Sequence, residues 1–305
     1  MLFHHEPVLC AEALEFLLTD RDGVYVDGTI GGGGHAEAIL RKVGPSARLI
    51  GFDADRDAID AAARRLAGEE RRMTLIHANF RAMAEELSAR GVGAVAGILF
   101  DLGVSSHQID EAEKGFSFRS DERLDMRMDR RLYLSGWDVV NTYPEQRLAA
   151  VLYEFGEERA SRRIARAIVE HRPIDTTGAL KQVVEGCVGG RFLQKSLARV
   201  FQAVRIEVNQ EITSLEHALG DVPALLMRGG RCVVIAYHSL EDRTVKNFFR
   251  EEAADRTASG HKSVPDAPRV PRLKILTKKP VTASNEECAR NPRARSAKLR
   301  AAERT

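Results

Sequence analysis

Val24-Tyr-Val-Asp27-Gly-Thr-Ile-Gly-Gly-Gly-Gly-His35-Ala36 is the stretch that decides the fold. Val24 to Val26 are strand formers, an acidic residue closes the run, and four consecutive glycines lead into a helical pattern. Within it, Gly31-x-Gly33-x-x-Ala36 has the spacing of a strand-to-helix turn that binds a dinucleotide. Glycines at such a turn let a ligand approach the main chain at a helix N-terminus, where a side chain would block it. A tight turn that needs positive φ angles is the purely structural alternative.

Outward from this turn, the first hundred residues alternate short apolar runs with helical patterns, which predicts a parallel sheet with crossover helices. Strands are expected at Val24 to Asp27, Arg48 to Asp53, Met73 to His77 and Ala96 to Asp101, with helices starting near His35, Asp55 and Arg81. Ligands in such a sheet bind beyond the carboxyl ends of the strands. From about Glu113 to Ser214 the apolar residues recur at helical spacing instead, as in Val151, Leu152 and Phe155, then Ile164 and Ile168, then Val204, Val208 and Ile212. Arg231 to Tyr237 is strand-like again, a helix is expected from Leu240 to about Ala253, and short strands near Leu273 to Leu276 and Ser296 to Ala301. His261 to Arg272 reads as a loop. The simplest account is an α/β domain, 1–112 with 215–305, interrupted by an all-helical insertion at 113–214.

Residues at the strand ends narrow the ligand. Asp53 is placed to accept hydrogen bonds from a ribose diol, which suits a nicotinamide dinucleotide and S-adenosylmethionine equally. Asp27 separates them: a carboxylate at the mouth of the loop, with no Lys or Arg from Asp27 to Leu40, repels a pyrophosphate and favours a ligand carrying an ammonium and a sulfonium. S-adenosylmethionine fits. Asn79-Phe80, just past the third strand, can hydrogen-bond and pack an adenine, although Phe80 could equally be ordinary core.

The chain has 305 residues, 44% hydrophobic and 30% charged, enough for one large domain or two modest ones and not the composition of a disordered tail. The formal net charge is +2, but it is unevenly spread. Arg256 to Thr305 holds 13 Lys and Arg against 4 Asp and Glu, leaving 33 basic and 40 acidic residues before it. That points either to a polyanionic partner or to a solvated tail. The four cysteines are scattered with no CxxC pair, so neither a disulfide framework nor a zinc site is expected, and no metal is assigned to the chemistry. With no signal-like start and no apolar run of spanning length, a cytoplasmic protein without a membrane partner is expected.

Several separate blocks resemble the bacterial 16S ribosomal RNA cytosine-N4 methyltransferases, the MraW family. They are His5-Glu-Pro-Val-Leu9, Asp27-Gly-Thr with Gly33-Gly-His35, Asp101-Leu-Gly-Val-Ser-Ser106, Gly115-Phe-Ser-Phe118, Leu124-Asp-Met-Arg-Met-Asp129, Phe201-Gln-Ala-Val-Arg-Ile206, His238-Ser-Leu-Glu-Asp-Arg243 and Asn291-Pro-Arg-Ala-Arg-Ser296. The resemblance implies a class I S-adenosylmethionine-dependent methyltransferase: a Rossmann-like, seven-stranded, mostly parallel sheet with a helical domain inserted after strand four. It implies methyl transfer to the exocyclic N4 of a cytosine in the decoding region of the small ribosomal subunit, with the insertion helping to recognise RNA. It carries cofactor contacts to Gly33, Gly34, His35, Asp53, Phe80, Asp101 and Gln108. Two positions depart from the pattern: His107, where many members have proline, and Tyr237, where phenylalanine is common.

A cytosine N4 amine is a poor nucleophile because its lone pair is delocalised, so alignment with the methyl donor is the main task. A nearby carboxylate can accept an N–H and later a proton. Asp101 and His238 are the candidate catalytic groups. Asp101 sits in Asp-Leu-Gly-Val rather than the usual Asp/Asn-Pro-Pro-aromatic motif and so also fits a purely cofactor-binding role; Ser239 reads as a helix cap and His238 as a core histidine. For RNA, the candidates are Arg159, Arg162, Arg163 and Arg166 on an insertion helix, and Arg293 and Arg295, with Lys298 and Arg300, on a terminal strand. Phe116 and Phe118 would either stack an extruded base or be buried. The rivals are an NAD-dependent oxidoreductase and a non-catalytic RNA-binding assembly factor. A homodimer is compatible with the sequence.

Overall fold

In the first of the chain's two compact units, formed by 1–103 with 212–305, the strands are β1 (Val24–Asp27), β2 (Arg48–Asp53), β3 (Met73–His77), β4 (Val95–Asp101), β5 (Leu226–Ala236), β6 (Arg256–Thr257), β7 (Ala267–Pro268), β8 (Leu273–Ile275) and β9 (Lys298–Arg304). The second unit spans 104–211, against limits of 113–214 read from the sequence. The structure is a computed structural model that describes residues 7–103, 114–257 and 266–305.

Seven of the strands form one sheet in the order β3-β2-β1-β4-β5-β9-β8, and β6 and β7 make a separate ribbon. Val26 of β1 is in register with Ile50 on one side and Ile98 on the other, both parallel. β9 runs antiparallel to both β5 and β8, whereas β1 to β5 pair in parallel. This is the seven-stranded, mostly parallel sheet of the class I methyltransferases, as expected. Its strand order reverses between β1 and β4, so the crevice for a ligand lies beyond Asp27 and Asp101.

Helices cover both faces, which is why the strands are apolar almost throughout. Side chains alternate across the sheet: Tyr25, Leu49, Leu99 and Val233 join one buried cluster, while Val26, Ile50, Ile98 and Val234 join the other. Each such side chain, fully buried, contributes about 1.5–3 kcal/mol. On the first face lie α1 (Cys10–Leu17), α2 (Gly34–Lys42) and α3 (Arg56–Arg65), the last capped by the Asp55 carboxylate. On the second lies α4 (Met83–Ala89), preceded by a 3-10 turn at Phe80–Ala82.

The helical unit contains α5 (Gly136–Thr142), α6 (Glu145–Glu154), α7 (Ser161–Glu170), α8 (Thr177–Cys187) and α9 (Gly190–Asn209) around a core that includes Leu148, Leu152, Ile164, Ile168, Leu180 and Val204. Gln210, in the left-handed conformation at φ 51°, ends α9, and α10 (Glu211–Leu225) follows. The first unit is completed by α11 (Ser239–Glu252) and α12 (Asn285–Arg290).

Two expectations are corrected. The fifth strand starts at Leu226 rather than Arg231, because the chain passes Gly229 at φ 76° through an irregularity opposite Val95 and Gly97 and stays paired. The last strand starts at Lys298 rather than Ser296, because Asn291 caps a 3-10 turn over Pro292–Ser296. Phe116 and Phe118 are half-buried against the helical core, and Phe118 meets the Phe201 ring edge-on at 5.4 Å between centroids. Among the described residues no helix is long and apolar enough to cross a membrane.

Candidate cofactor site

The glycine loop between β1 and α2 is pinned to the strands on both sides. Gly28 N–H donates to the Leu99 carbonyl and Ile30 N–H to that of Phe52, both at 2.8 Å. Gly28 itself is required by packing, since a Cβ there would lie 2.5 Å from the Phe100 ring. Gly33, the residue before α2, has φ 79°. A Cβ on Gly32 would meet nothing within 4 Å, so there the loop has room for an approaching group. The run therefore mixes causes: close packing at Gly28, backbone conformation at Gly33, open space at Gly32.

Three carboxylates surround this loop. Asp27 is 1% exposed, and its Oδ1 accepts the Thr29 N–H at 3.1 Å. Burial pushes its carboxyl up to about 7; the Thr29 bond opposes the shift, and the negative charges of Asp101 and Asp53 add to it. Asp53 accepts the Gly31 N–H at 2.9 Å on one oxygen and the Asp55 N–H at 2.9 Å on the other, so it also clamps the loop onto β2. Asp101, at the end of β4, receives the Tyr237 hydroxyl on Oδ1 at 2.7 Å and has His35 Nδ1 3.5 Å from Oδ2. The Thr29 hydroxyl oxygen accepts the Asp101 N–H at 2.6 Å.

His35 is buried and occupied on both ring nitrogens. Nε2 lies 3.0 Å from the Val8 carbonyl, which can only accept, so Nε2 carries a proton and donates; Nδ1 faces Asp101. The imidazole thus links the segment before α1 to the end of β4. Gly34 faces Pro7, 3.3 Å from where a Cβ would stand. Phe80 is half-buried against Phe100, 5.5 Å between ring centroids, while the Asn79 side-chain carbonyl caps the turn that follows by accepting the Arg81 N–H. Gln108, with Ser105 and Ser106, lies outside the described residues.

His238, not Ser239, is the N-cap of α11: its Nδ1 accepts the Glu241 N–H at 3.4 Å and its Nε2 sits 3.1 Å from Glu241 Oε1. The imidazole is committed to the helix start. Arg162, Arg163 and Arg166 are exposed on α7, with Arg166 3.8 Å from Glu145, and Arg159 is exposed just before the helix. Arg293 and Arg295 lie on the 3-10 turn before β9, half-buried and exposed respectively. Lys298 and Arg300, expected to face phosphates, both reach Asp242 of α11, at 3.4 and 2.7 Å, and Arg300 is only 8% exposed. Their spacing along the strand could not reveal a partner 56 and 58 residues away.

Sequence reasoning assigned no role to Thr29, which the site uses, and marked Tyr237 only as a departure from the family pattern, without the partner of its hydroxyl. In the helical unit a cavity of about 520 Å³, lined by Arg123, Trp137, Asp175 and Thr176, also falls among residues the sequence did not single out.

A family model described as the MraW methylase family matches residues 2–305. Curated relatives bearing the name ribosomal RNA small subunit methyltransferase H include proteins from Geobacter sp. (strain M21), 48% identical with 99% of each chain covered, and from Clostridioides difficile (strain 630), 45% identical with 100% of each covered. That of Geotalea uraniireducens (strain Rf4) is 48% identical over 99% of both chains.

Proposed function

The chain belongs to the MraW methylase family, and from that premise we propose that it transfers the methyl group of S-adenosylmethionine to the exocyclic N4 of a cytosine in the decoding region of 16S ribosomal RNA, within the small subunit. The observation that carries the cofactor assignment is the charge of the cleft. A buried Asp27 near Asp53 and Asp101 favours a ligand that brings positive charge. A pyrophosphate would add negative charge to that cluster, which disfavours the oxidoreductase reading.

In this assignment Gly33, Gly34 and His35 of the loop and the half-buried Phe80 hold the nucleoside, Asp53 faces the ribose, and Asp27 and Asp101 face the cationic end. The bound group would supply an electrophilic methyl on a sulfonium. The chain's task is placement. Asp101, held on Oδ1 by the Tyr237 hydroxyl and with His35 beside Oδ2, presents a carboxylate that accepts an N–H of the target amine. His238 caps its helix through Nδ1, so in this reading its role is to shape the start of α11 beside the cleft. Exposed Arg159, Arg162, Arg163 and Arg166 in the helical unit, and Arg293 and Arg295 in the sheet unit, supply the phosphate contacts.

The test is incubation with labelled S-adenosylmethionine and undermethylated small subunits, followed by complete digestion of the RNA. Label in N4-methylcytidine is the expected result. Its absence, with label in no other nucleoside, would favour the non-catalytic assembly factor.

A further inference from the structure

We infer that Tyr237 is a positioning residue for the methyl-donor site, its hydroxyl fixing the Asp101 carboxylate by Oδ1 while His35 lies near Oδ2. This rests on the assignment of the cleft to S-adenosylmethionine. Tyr237 directly follows the last residue of β5, at the crevice end of the sheet. Its backbone N–H donates to Glu241 Oε2 at 2.8 Å. Its ring lies against Gly103, where a Cβ would come 3.1 Å from Cδ2 and where φ is 101°, so the ring packs on the main chain as it leaves β4. Its hydroxyl donates to Asp101 Oδ1 at 2.7 Å.

Main chain, ring and hydroxyl are each held by a different partner, and the only one of these contacts that ends on a cleft carboxylate is the last. Burial and the adjacent Asp101 charge raise the phenol well above its ordinary range, so the hydroxyl stays a donor throughout the working pH range. A hydrogen bond donated to a carboxylate favours its charged form and removes its rotational freedom. The titratable and charged groups facing the pair are His35 from α2, Asp27 from β1, Glu241 from α11 and Arg293 from the 3-10 turn. With Asp101 committed in this way, the cleft meets the cationic end of its ligand already ordered, which is where preorganisation improves affinity.

The experiment is calorimetric titration of S-adenosylmethionine into wild type, Tyr237→Phe, Asp101→Ala and the double variant, from pH 6 to 8.5. Removing only the hydroxyl should weaken binding about tenfold at neutral pH, roughly the effect of one charge-assisted hydrogen bond. KM should rise more than kcat falls. In the Asp101→Ala background the same change should have no effect, because the hydroxyl then has no carboxylate to hold. A Tyr237→Phe curve superimposed on wild type, or an equal loss with and without Asp101, overturns the inference. Wild type that binds no S-adenosylmethionine would overturn the cofactor assignment itself, a result distinct from either.

Discussion

The hydroxyl oxygen of Thr29 accepts the backbone N–H of Asp101 at 2.6 Å, joining the glycine loop after β1 to the end of β4 across 72 residues of sequence. It crosses the place where the sheet reverses its strand order. The loop and the carboxylate at the crevice are therefore one unit, and each depends on the other.

Thr29→Val keeps the shape of the side chain and removes the acceptor. The Asp101 N–H would then be left without its partner, at a cost of about 1–3 kcal/mol. Thermal unfolding should show a Tm lower by several degrees, and calorimetry a weaker cofactor affinity. An unchanged Tm would mean that the bond contributes nothing to the fold.

Asp27 makes stability and binding respond oppositely to pH. Its carboxyl is raised from an ordinary value of 3.8 to about 7, so between these values the folded protein keeps a proton that the unfolded chain releases. Stability of the cofactor-free protein accordingly falls as pH rises from about 4 to about 7, and the loss is complete above that. About three pKa units at 1.36 kcal/mol each set an upper bound on the order of 4 kcal/mol. A cationic ligand binds the ionised form better, so its affinity should rise over pH 6 to 8. Asp27→Asn should remove both trends, melting higher than wild type at pH 8 and binding S-adenosylmethionine at least tenfold more weakly; denaturant titrations and calorimetry at several pH values measure both.

Surface arginines and buried arginines should part company. Arg162→Glu with Arg163→Glu leaves the core of the helical unit untouched, so cofactor affinity should hold while small-subunit binding weakens and its salt dependence flattens. Arg300→Ala should instead lower stability, by about 1–3 kcal/mol, because the largely buried guanidinium makes the shorter of the two contacts to Asp242 and leaves only Lys298, at 3.4 Å, beside that carboxylate. Filter binding across a salt series, together with thermal melts, distinguishes the two.

Much of this was legible beforehand. β1, β2 and β3 fall at the residues read from their apolar runs; β1 and β2 are buried on both faces, which leaves a continuous apolar pattern, and Asp27 and Asp53 close them, while β3, at the sheet edge, keeps only a short apolar run. The helix at Cys10–Leu17 left no such mark. It is entered through Leu9 in the left-handed conformation, φ 50°, with the Leu9 N–H taken by Glu287 from the far end of the chain, and no local pattern encodes a partner 278 residues away. The second role of Asp53 as a loop clamp, and the pairing of Arg300 with Asp242, were hidden for the same reason. Residue type and spacing show where a charge is, and only the folded chain shows what it faces.

Equilibrium dialysis of labelled S-adenosylmethionine against the protein, with either NADH or S-adenosylhomocysteine in hundredfold excess, is the most direct check on the nature of the cleft. One equivalent of label should bind, be displaced by S-adenosylhomocysteine and remain in place with NADH. Displacement by NADH, with S-adenosylhomocysteine inert, would contradict a cleft whose carboxylates select a cationic methyl donor.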